Sequence, residues 1–161
     1  MAFSRAASWL ALILPIALLG GALISEYVFG LYPCEMCMWQ RWPHLAAIIL
    51  ALGALALRKH KIAKFIVIDA ALAILISGLI GGFHAGVEYG WWDGITACAS
   101  TVPAGGDMLE SIMNAPLVRC DVAPWSLMGI SLAGFNFLLS VGGAMLILGL
   151  IAKGWKEARH G

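Results

Sequence analysis

The stretch FIVIDAALAILISGLIGGF occupies residues 65–83 and contains a single charged side chain, Asp69. A helix rises ~1.5 Å per residue, so this stretch is long enough to cross a hydrocarbon core of ~30 Å. Small residues recur here and in a later apolar run, at Gly78, Gly81, Gly82, Gly142 and Gly143. Since small residues let transmembrane helices approach closely, the pattern predicts a compact bundle of membrane helices.

The composition of the chain also indicates a membrane protein. Of its 161 residues, 61% are hydrophobic and 12% are charged, and the mean hydropathy is +0.90. Soluble domains carry about 25% charged residues, so we expect an all-α integral membrane fold. The net charge is only +1 and no basic stripe with interleaved aromatic residues occurs. These two features exclude a nucleic-acid partner.

Four apolar stretches predict a single four-transmembrane-helix domain over residues 1–161. The predicted spans cover about 6–24, 37–57, 65–83 and 127–152, with outward loops over 25–36 and 84–126. The first stretch has one feature of a signal peptide, because Arg5 precedes an apolar run. That run exceeds the ~7–15 residues of a usual signal-peptide core, so we expect it to be retained as a span.

Lysine and arginine predict the orientation of these spans. Eight of the ten lie before the first span, between the second and third, or after the fourth: Arg5, Arg58, Lys59, Lys61, Lys64, Lys153, Lys156 and Arg159. The positive-inside rule makes these segments, and both termini, cytoplasmic. The two remaining loops therefore face outward, and they hold seven of the nine acidic residues.

All four cysteines, Cys34, Cys37, Cys98 and Cys120, lie on the outward side, where disulfides persist. Three interpretations remain open: structural disulfides, redox exchange through both pairs, and a zinc site with four thiolate ligands. A Cys98–Cys120 bridge would close a loop of about 23 residues and stabilise the fold by ~3 kcal/mol. Cys-x-x-Cys at a helix start is typical of redox chemistry, and the wide spacing of the second pair fits zinc less well.

The surroundings of the first pair favour a thiolate. The helix predicted to begin near Cys34 carries a partial charge of roughly +0.5 at its N-terminus. Arg41 lies one helical turn after Cys37, where its guanidinium could stabilise the thiolate or a bound acceptor. Glu35 opposes this effect, because a neighbouring carboxylate disfavours a thiolate. The alternative role for Arg41 is to snorkel to the lipid headgroups between its flanking tryptophans.

The second loop contains a short amphipathic pattern over residues 107–114. The pattern predicts a helix that lies on the membrane surface, where it could tether Cys120 near the first pair. A proline and two glycines after Cys98 would give that segment the freedom to engage a partner. The alternative is a solvated loop with a hydrophobic anchor.

Several motifs together resemble the bacterial disulfide bond formation protein B (DsbB) family, quinone-linked thiol oxidases of the inner membrane. They are PCEMC at 33–37, Gln40 with Arg41, two outward cysteines before the last span, and PWSLMG at 124–129. Each motif is short, but their joint placement on four spans is specific and covers nearly the whole chain. Glu35 departs from the apolar spacer expected between the first two cysteines, which leaves the redox potential open.

The resemblance implies a role for each cysteine. Cys34 and Cys37 match the pair whose disulfide is regenerated by ubiquinone or menaquinone, and Arg41 matches the arginine beside the quinone. Cys98 and Cys120 match the pair that exchanges with a periplasmic thioredoxin-like oxidase, a DsbA-like protein. The partner's thiolate would attack Cys98, electrons would pass to the first pair, and Cys37 would reduce the quinone.

The resemblance also implies a histidine near the quinone, for which His84, at the outer end of the third span, is the candidate. Imidazole is well suited to a hydrogen bond with a quinone oxygen. His44 is the second candidate, and an ordinary interfacial or packed histidine is the alternative for both.

A non-catalytic membrane assembly module with two structural disulfides is the alternative function. The vitamin K epoxide reductase-like oxidases also couple a membrane Cys-x-x-Cys to quinone, but a pair at the start of the second span fits them less well. No dinucleotide-binding glycine fingerprint occurs, so a flavin or nicotinamide site has no support. We expect a redox enzyme without a metal.

Overall fold

A computed structural model describes residues 5–95, 99–100 and 117–160. Four helices make up most of it: α1 (Arg5–Tyr27), α2 (Glu35–Ala56), α3 (Ala63–Glu88) and α4 (Leu132–His160). Four strands of two residues each are β1 (Ala99–Ser100), β2 (Leu117–Val118), β3 (Ser126–Leu127) and β4 (Ile130–Ser131). The fold is therefore a helical bundle whose strands all lie between α3 and α4.

Helix α3 is the central element of the bundle. It packs extensively against α2 and α4, whereas α1 packs mainly against α2 and α4. The shared core consists largely of alanine and branched aliphatic side chains, such as Ala51, Val67, Ile74 and Ile147. Small side chains bring the helix axes close together, so dispersion contacts between backbones replace those of bulky side chains.

Glycine allows the closest approach of α3 to α4. A Cβ atom on Gly78 would lie 2.9 Å from Cβ of Ser140, and one on Gly82 would lie 2.7 Å from a ring carbon of Phe137. Gly142, by contrast, has no heavy atom within 4 Å of the position of a Cβ. The predicted role of small residues in packing therefore holds for Gly78 and Gly82 but not for Gly142.

Three of the described helices, α1, α3 and residues 132–157 of α4, are long and apolar enough to cross a membrane. Helix α2 has 22 residues, but its first half contains the polar side chains of Gln40, Arg41 and His44. These residues lower its hydropathy, so α2 as the fourth span remains a prediction. The three apolar helices agree with the predicted bundle of membrane helices.

Two helix ends differ from the predicted span limits. Helix α3 continues past Phe83 to Glu88, so His84 lies inside the helix rather than at the start of a loop. Helix α4 begins at Leu132, after a β3–β4 hairpin in which Leu127 pairs with Ile130. The prediction that the last span begins at residue 127 was therefore wrong for residues 127–131, which belong to the hairpin.

The turn of this hairpin explains why the helix starts late. Met128 has a φ of 52° and Gly129 a φ of 79°, and two consecutive residues with positive φ form the two-residue turn that joins antiparallel strands. A right-handed helix cannot pass through such residues. The hydropathy of the segment does not reveal this turn, because an apolar segment has the same hydropathy in a hairpin and in a helix.

Strands β1 and β2 pair in antiparallel fashion, with Ala99 opposite Val118. β1 begins one residue after Cys98, and β2 ends two residues before Cys120. Cys98 itself and the amphipathic helix predicted over 107–114 lie outside the described residues.

Candidate active site

Cys34 and Cys37 face each other at the first turn of α2. The Cys34 side chain caps the helix, since its sulfur accepts a hydrogen bond from the Cys37 backbone N–H at 3.2 Å. The Cys34 thiol in turn donates to the Cys37 sulfur at 2.9 Å. This is a dithiol in which the two sulfur atoms need to move by about 1 Å to reach the bond length of a disulfide.

The two thiols of the pair are not equivalent. Cys34 is 4% exposed, whereas Cys37 is only half-buried. The hydrogen bond that Cys34 donates to Cys37, together with burial, raises the pKa of the Cys34 thiol far above its ordinary value. Cys34 therefore retains its proton, and Cys37 is the sulfur that the hydrogen bond prepares for ionisation.

A second cysteine lies beside Cys34. The sulfur atoms of Cys34 and Cys120 and a ring nitrogen of His84 all lie within 4.8 Å of one another, and all three residues are buried. Strand β2 ends just before Cys120 and leads it to this position above α2 and α3. Such a set could ligate a thiophilic metal, but a disulfide at either sulfur would remove its ligands. We therefore interpret the cluster as a site of thiol exchange.

The neighbours of Cys120 are polar. Arg119 and Asp121 form an exposed ion pair with N–O distances of 2.9 Å and 2.5 Å. The Arg119 guanidinium holds the pKa of the Asp121 carboxyl below its ordinary value. The segment around Cys120 therefore presents both charges to solvent, on the outer side of the cysteine cluster.

A buried hydrogen-bond network connects His84 to the middle of the bundle. Gln40 Nε2 lies 3.0 Å from His84 Nδ1, and Asn136 Nδ2 donates to Gln40 Oε1 at 2.8 Å. Asn136 Oδ1 lies 2.9 Å from His44 Nε2. The Ser77 hydroxyl accepts from Asn136 Nδ2 and donates to the backbone carbonyl of Gln40, and the Ser140 hydroxyl donates to Asn136 Oδ1, so the network joins α2, α3 and α4.

The network determines which ring nitrogens carry protons. Gln40 Nε2 donates to the carbonyl of Met36 at 3.0 Å, so it is the amide nitrogen, and His84 Nδ1 must accept from it. A neutral His84 then has its proton on Nε2. By the same argument, Asn136 Oδ1 is an acceptor, so His44 donates to it from Nε2 and its Nδ1 is free of a proton.

The Arg41 side chain is directed toward helix α1. Its guanidinium is ion-paired with Glu26 near the end of α1, and the two side chains are only 14% and 17% exposed. The second terminal nitrogen lies 3.4 Å from the carbonyl of Ala22. Arg41 therefore joins α2 to α1 through a partly buried charge pair, and Glu26 offsets its charge.

A cavity of about 250 Å³ lies next to the cysteine pair. Its walls are mostly apolar side chains from α1 and α4, and its polar wall contains Cys37, Arg41, His44, His84 and Glu88. Three buried polar atoms of this wall have no hydrogen-bond partner among the described residues: Arg41 Nε, His44 Nδ1 and Glu88 Oε2. An apolar chamber with a few unsatisfied polar atoms is typical of a site for a small, mainly apolar ligand.

A second cavity, of about 290 Å³, lies on the other side of the pair. Cys34, Val118 and Arg119 line it, while Cys37 and His84 line both cavities. The dithiol therefore lies between a chamber formed by the helices and a chamber formed in part by the second loop.

Comparison with known proteins identifies the family. The family description "Disulfide bond formation protein DsbB" matches residues 4–150. The chain belongs to the DsbB family. Disulfide bond formation protein B of Verminephrobacter eiseniae is 31% identical over 156 residues, which cover 90% of this chain and 84% of that protein. An uncharacterised protein of Rickettsia prowazekii is 30% identical over 141 residues, 84% of this chain and 80% of that protein. No solved structure gives a significant match.

Family membership and the three apolar helices together define the general class of the protein. It is a multi-pass membrane protein of disulfide bond formation, and the DsbB family implies an oxidoreductase activity. The family resemblance seen in the cysteine, arginine and proline motifs is thereby confirmed.

The structure of this DsbB family member brings several predicted site residues together. Cys34, Cys37, Cys120 and His84 form one cluster, and Arg41 lies in the wall of the adjacent cavity. Cys98 lies outside the described residues. The catalytic and quinone-binding roles of all these residues remain predictions.

Other polar residues of the site had no predicted role. Glu26 pairs with Arg41, Glu88 contacts His84, and Asn136 bridges Gln40 and His44. The available signal was a polar residue within an apolar helix, which is costly in a membrane unless it has a function or a partner. Asn136, between the apolar residues of α4, fits that description best.

Proposed function

We propose that this DsbB family protein is an inner-membrane oxidase that reoxidises a periplasmic DsbA-like dithiol protein. The electrons pass through the cysteine pairs Cys98–Cys120 and Cys34–Cys37 to ubiquinone or menaquinone. The observation that carries this proposal is the position of Cys34, which lies between Cys37 at 2.9 Å and the Cys120 sulfur within 4.8 Å.

Thiol exchange explains why the position of Cys34 matters. A disulfide is exchanged when a thiolate attacks one of its sulfur atoms and the other sulfur leaves. When the partner protein bonds to Cys98, Cys120 is released as a thiolate within reach of Cys34. Attack of Cys120 on a Cys34–Cys37 disulfide forms a Cys34–Cys120 disulfide and releases Cys37 as a thiolate. This step exchanges one disulfide for another. The first pair becomes a dithiol with two electrons when the partner's second thiolate displaces Cys98 and the Cys98 thiolate attacks Cys120, which restores Cys98–Cys120 and releases Cys34.

Cys37 is the sulfur of the pair that lines the helical chamber, and the residues of that chamber fit a quinone. A quinone head has two carbonyl acceptors on an apolar ring, and Arg41 Nε is a buried donor that no described residue engages. His44 Nδ1 is a buried acceptor that suits a hydroxyl of the reduced form. When bound, quinone supplies an acceptor for two electrons and two protons. Arg41 and His44 hold its head, and the apolar walls exclude water.

The distribution of charge supports the proposed orientation. Most lysines and arginines lie at the ends of the helices opposite the cysteine cluster, in the segment between α2 and α3 and at the end of α4. With α2 as the fourth span, both termini are cytoplasmic and the cysteines face the periplasm. That compartment is oxidising, so the disulfides persist between turnovers.

The test is quinone reduction by the purified protein, supplied with a reduced thioredoxin-like dithiol protein. We expect turnover by the wild type with ubiquinone or menaquinone, none with Cys37→Ser, and a higher quinone requirement with Arg41→Ala. Asp93→Asn, an exposed substitution away from the pair, serves as a control that keeps all four cysteines.

A wild type that stays folded, keeps its cysteines oxidised and reduces no quinone would contradict the oxidase function. That result would favour a non-catalytic assembly module with two structural disulfides. The two functions also predict different results for Arg41→Ala. In a structural module, loss of Arg41 leaves the reaction with dithiols unchanged.

A further inference from the structure

Glu88 is a buried acid between the cysteine pair and the helical chamber. Its side chain is 1% exposed, and its Oε1 lies 3.7 Å from His84 Nε2. Its Oε2 is buried and has no hydrogen-bond partner in the part of the chain that the structure describes, and the residue lines the chamber together with Cys37. One carboxyl group therefore has one oxygen toward the cysteine cluster and a second oxygen that is free to take or release a proton.

The burial of Glu88 makes its charge state responsive to its surroundings. An ionised carboxylate removed from water needs a full positive charge or several hydrogen bonds. Its polar neighbours are His84, one turn earlier on α3, and Ser131. Arg41 lies in the wall of the same chamber, but its terminal nitrogen is engaged by Glu26. Glu88 can therefore hold a proton at low cost.

His84 is not suited to take the proton of Cys34. Gln40 donates to its Nδ1, so the neutral ring carries its own proton on Nε2, the nitrogen that lies 3.5 Å from the Cys34 sulfur. That N–H can donate to a sulfur or to the Glu88 carboxylate, but it cannot accept. Among the charged and titratable groups beside the pair in the described residues, Arg41 and Arg119 are cations, Glu35 is exposed to solvent, and Cys120 takes part in exchange. Glu88 is the remaining acceptor.

We propose that Glu88 carries a proton from the cysteine pair to the quinone in the helical chamber; this inference rests on the proposed function. Oxidation of the two thiols to the Cys34–Cys37 disulfide releases two electrons and two protons, and reduction of quinone to quinol consumes both. Cys37 leaves the exchange as a thiolate, so the proton that matches it has already passed to solvent from the partner's thiol, and solvent returns an equal proton to one quinone oxygen. Glu88 takes the Cys34 proton as the S–S bond forms and delivers it to the other oxygen.

The first test separates proton delivery from quinone binding. In Glu88→Gln, which keeps the size of the side chain, we expect kcat for quinone reduction to fall about 100-fold while KM for quinone is unchanged. Formate or azide, small acids that enter the chamber, should restore part of the lost rate. Asp93→Asn, which removes an exposed carboxylate five residues later, should leave both constants and the response to formate unchanged.

The second test requires neither quinone nor turnover. Infrared difference spectra of the quinone-free protein, oxidised against reduced, should contain a C=O band of a protonated carboxyl group. The band should shift when glutamate is labelled with ¹³C at its side-chain carboxyl, persist in Asp93→Asn, and disappear in Glu88→Gln. If Glu88→Gln does not fold, Glu88→Asp replaces it: its carboxyl band should remain but should no longer shift with the glutamate label, whereas a band that still shifts belongs to another glutamate and overturns the role of Glu88.

The outcomes distinguish failure of the oxidase function from failure of the role of Glu88 alone. A wild type that reduces no quinone overturns the oxidase function and this inference with it. A wild type that reduces quinone, with full kcat in Glu88→Gln or no redox-dependent glutamate band, overturns the role of Glu88 alone. Loss of kcat without rescue by formate or azide, and without the band, assigns Glu88 a packing role and also overturns it.

Discussion

The guanidinium of Arg41 on α2 is ion-paired with the carboxylate of Glu26 in the last turn of α1. The pair leaves Nε of Arg41 as a buried donor in the chamber wall, without a partner within residues 5–95, 99–100 and 117–160. Glu26 therefore has two effects: it neutralises a charge that is costly near the membrane core, and it fixes the direction in which the guanidinium presents Nε.

This arrangement predicts different defects for the two partners of the ion pair. Arg41→Ala removes the donor to the quinone, so KM for quinone should rise about tenfold to 100-fold, which corresponds to a charged hydrogen bond of ~1.5–3 kcal/mol. Glu26→Gln keeps the donor but leaves the cation unpaired, so it should mainly lower the free energy of unfolding, by about 3 kcal/mol. Steady-state kinetics and denaturant unfolding in detergent measure the two quantities.

Arg41→Lys is the matched control, since it keeps the charge and the pairing with Glu26 but lacks Nε as a donor. We expect its stability to stay near that of the wild type and its quinone KM to resemble that of Arg41→Ala. A lysine variant with wild-type KM would show that charge alone, and not the Nε donor, holds the quinone.

The hydrogen bond from Cys34 to Cys37 predicts the order in which the two thiols react. The pKa of Cys34 is raised from its ordinary value of 9.0, so Cys34 stays protonated in the folded protein at pH values at which an unfolded chain begins to ionise. Iodoacetamide at pH 8 should therefore modify Cys37 more than about tenfold faster than Cys34, the ratio given by one pKa unit. Mass spectrometry of a reduced Cys98→Ser, Cys120→Ser variant measures both sites.

The same pKa shift sets the sign of the pH dependence of stability. Because the folded pKa of Cys34 lies above the unfolded value, its contribution to the stability of the reduced protein is complete below pH 9 and is lost progressively above it. Denatured protein should lose the selectivity between the two thiols. Faster modification of Cys34 in the folded protein would contradict this assignment of the proton.

The sequence was sufficient to predict a helical membrane bundle and the family, because both depend on local information. Apolar runs longer than the bilayer core and the Cys-x-x-Cys motif with Arg41 can be recognised without knowledge of tertiary contacts. The start of α4 was missed because the positive φ of Met128 is a backbone property that an apolar segment does not reveal. A hairpin and a helix of the same hydropathy are indistinguishable by hydropathy alone.

The polar network was not predictable for a different reason. Gln40, Ser77 and Asn136 lie on three helices, and their contacts depend on the rotation of each helix about its axis. Sequence periodicity reports that rotation poorly when a helix is apolar on all sides, as in a membrane. The partners of Arg41 and His84 were missed in the same way, although each residue had been selected as a candidate.

The close contact of α3 with α4 predicts that Gly78 cannot be enlarged without cost. Gly78→Ala would place Cβ 2.9 Å from the Ser140 side chain and 3.1 Å from the backbone nitrogen of Val141, and backbone cannot move aside as a flexible side chain does. Overpacking of this kind costs about 1–3 kcal/mol. Gly142→Ala, which meets no atom within 4 Å, is the control and should leave the unfolding midpoint unchanged. Equal midpoints for both variants would contradict the close approach of α3 and α4 at this point.

Asn136 is the residue on which the network depends most. Its amide bonds to Gln40, His44, Ser77 and Ser140, and through Gln40 it fixes the tautomer of His84. Interhelical hydrogen bonds in membrane proteins contribute ~0.6 kcal/mol each on average, so Asn136→Ala should lower the free energy of unfolding by about 2 kcal/mol. Ser140→Ala removes one bond of the same amide and should cost about a quarter to a third of that amount.

The tautomer provides a readout that loss of stability alone would not change. Nitrogen NMR of labelled histidine in the folded protein should show His84 protonated at Nε2 in the wild type and in Ser140→Ala. In Asn136→Ala the Gln40 amide is free to rotate, so we expect both tautomers of His84. A single Nε2 tautomer in Asn136→Ala would mean that the bond from Gln40 to the Met36 carbonyl is sufficient to orient the amide. In that case the influence of α4 on the cysteine pair, through the series of hydrogen bonds, would stop at Gln40.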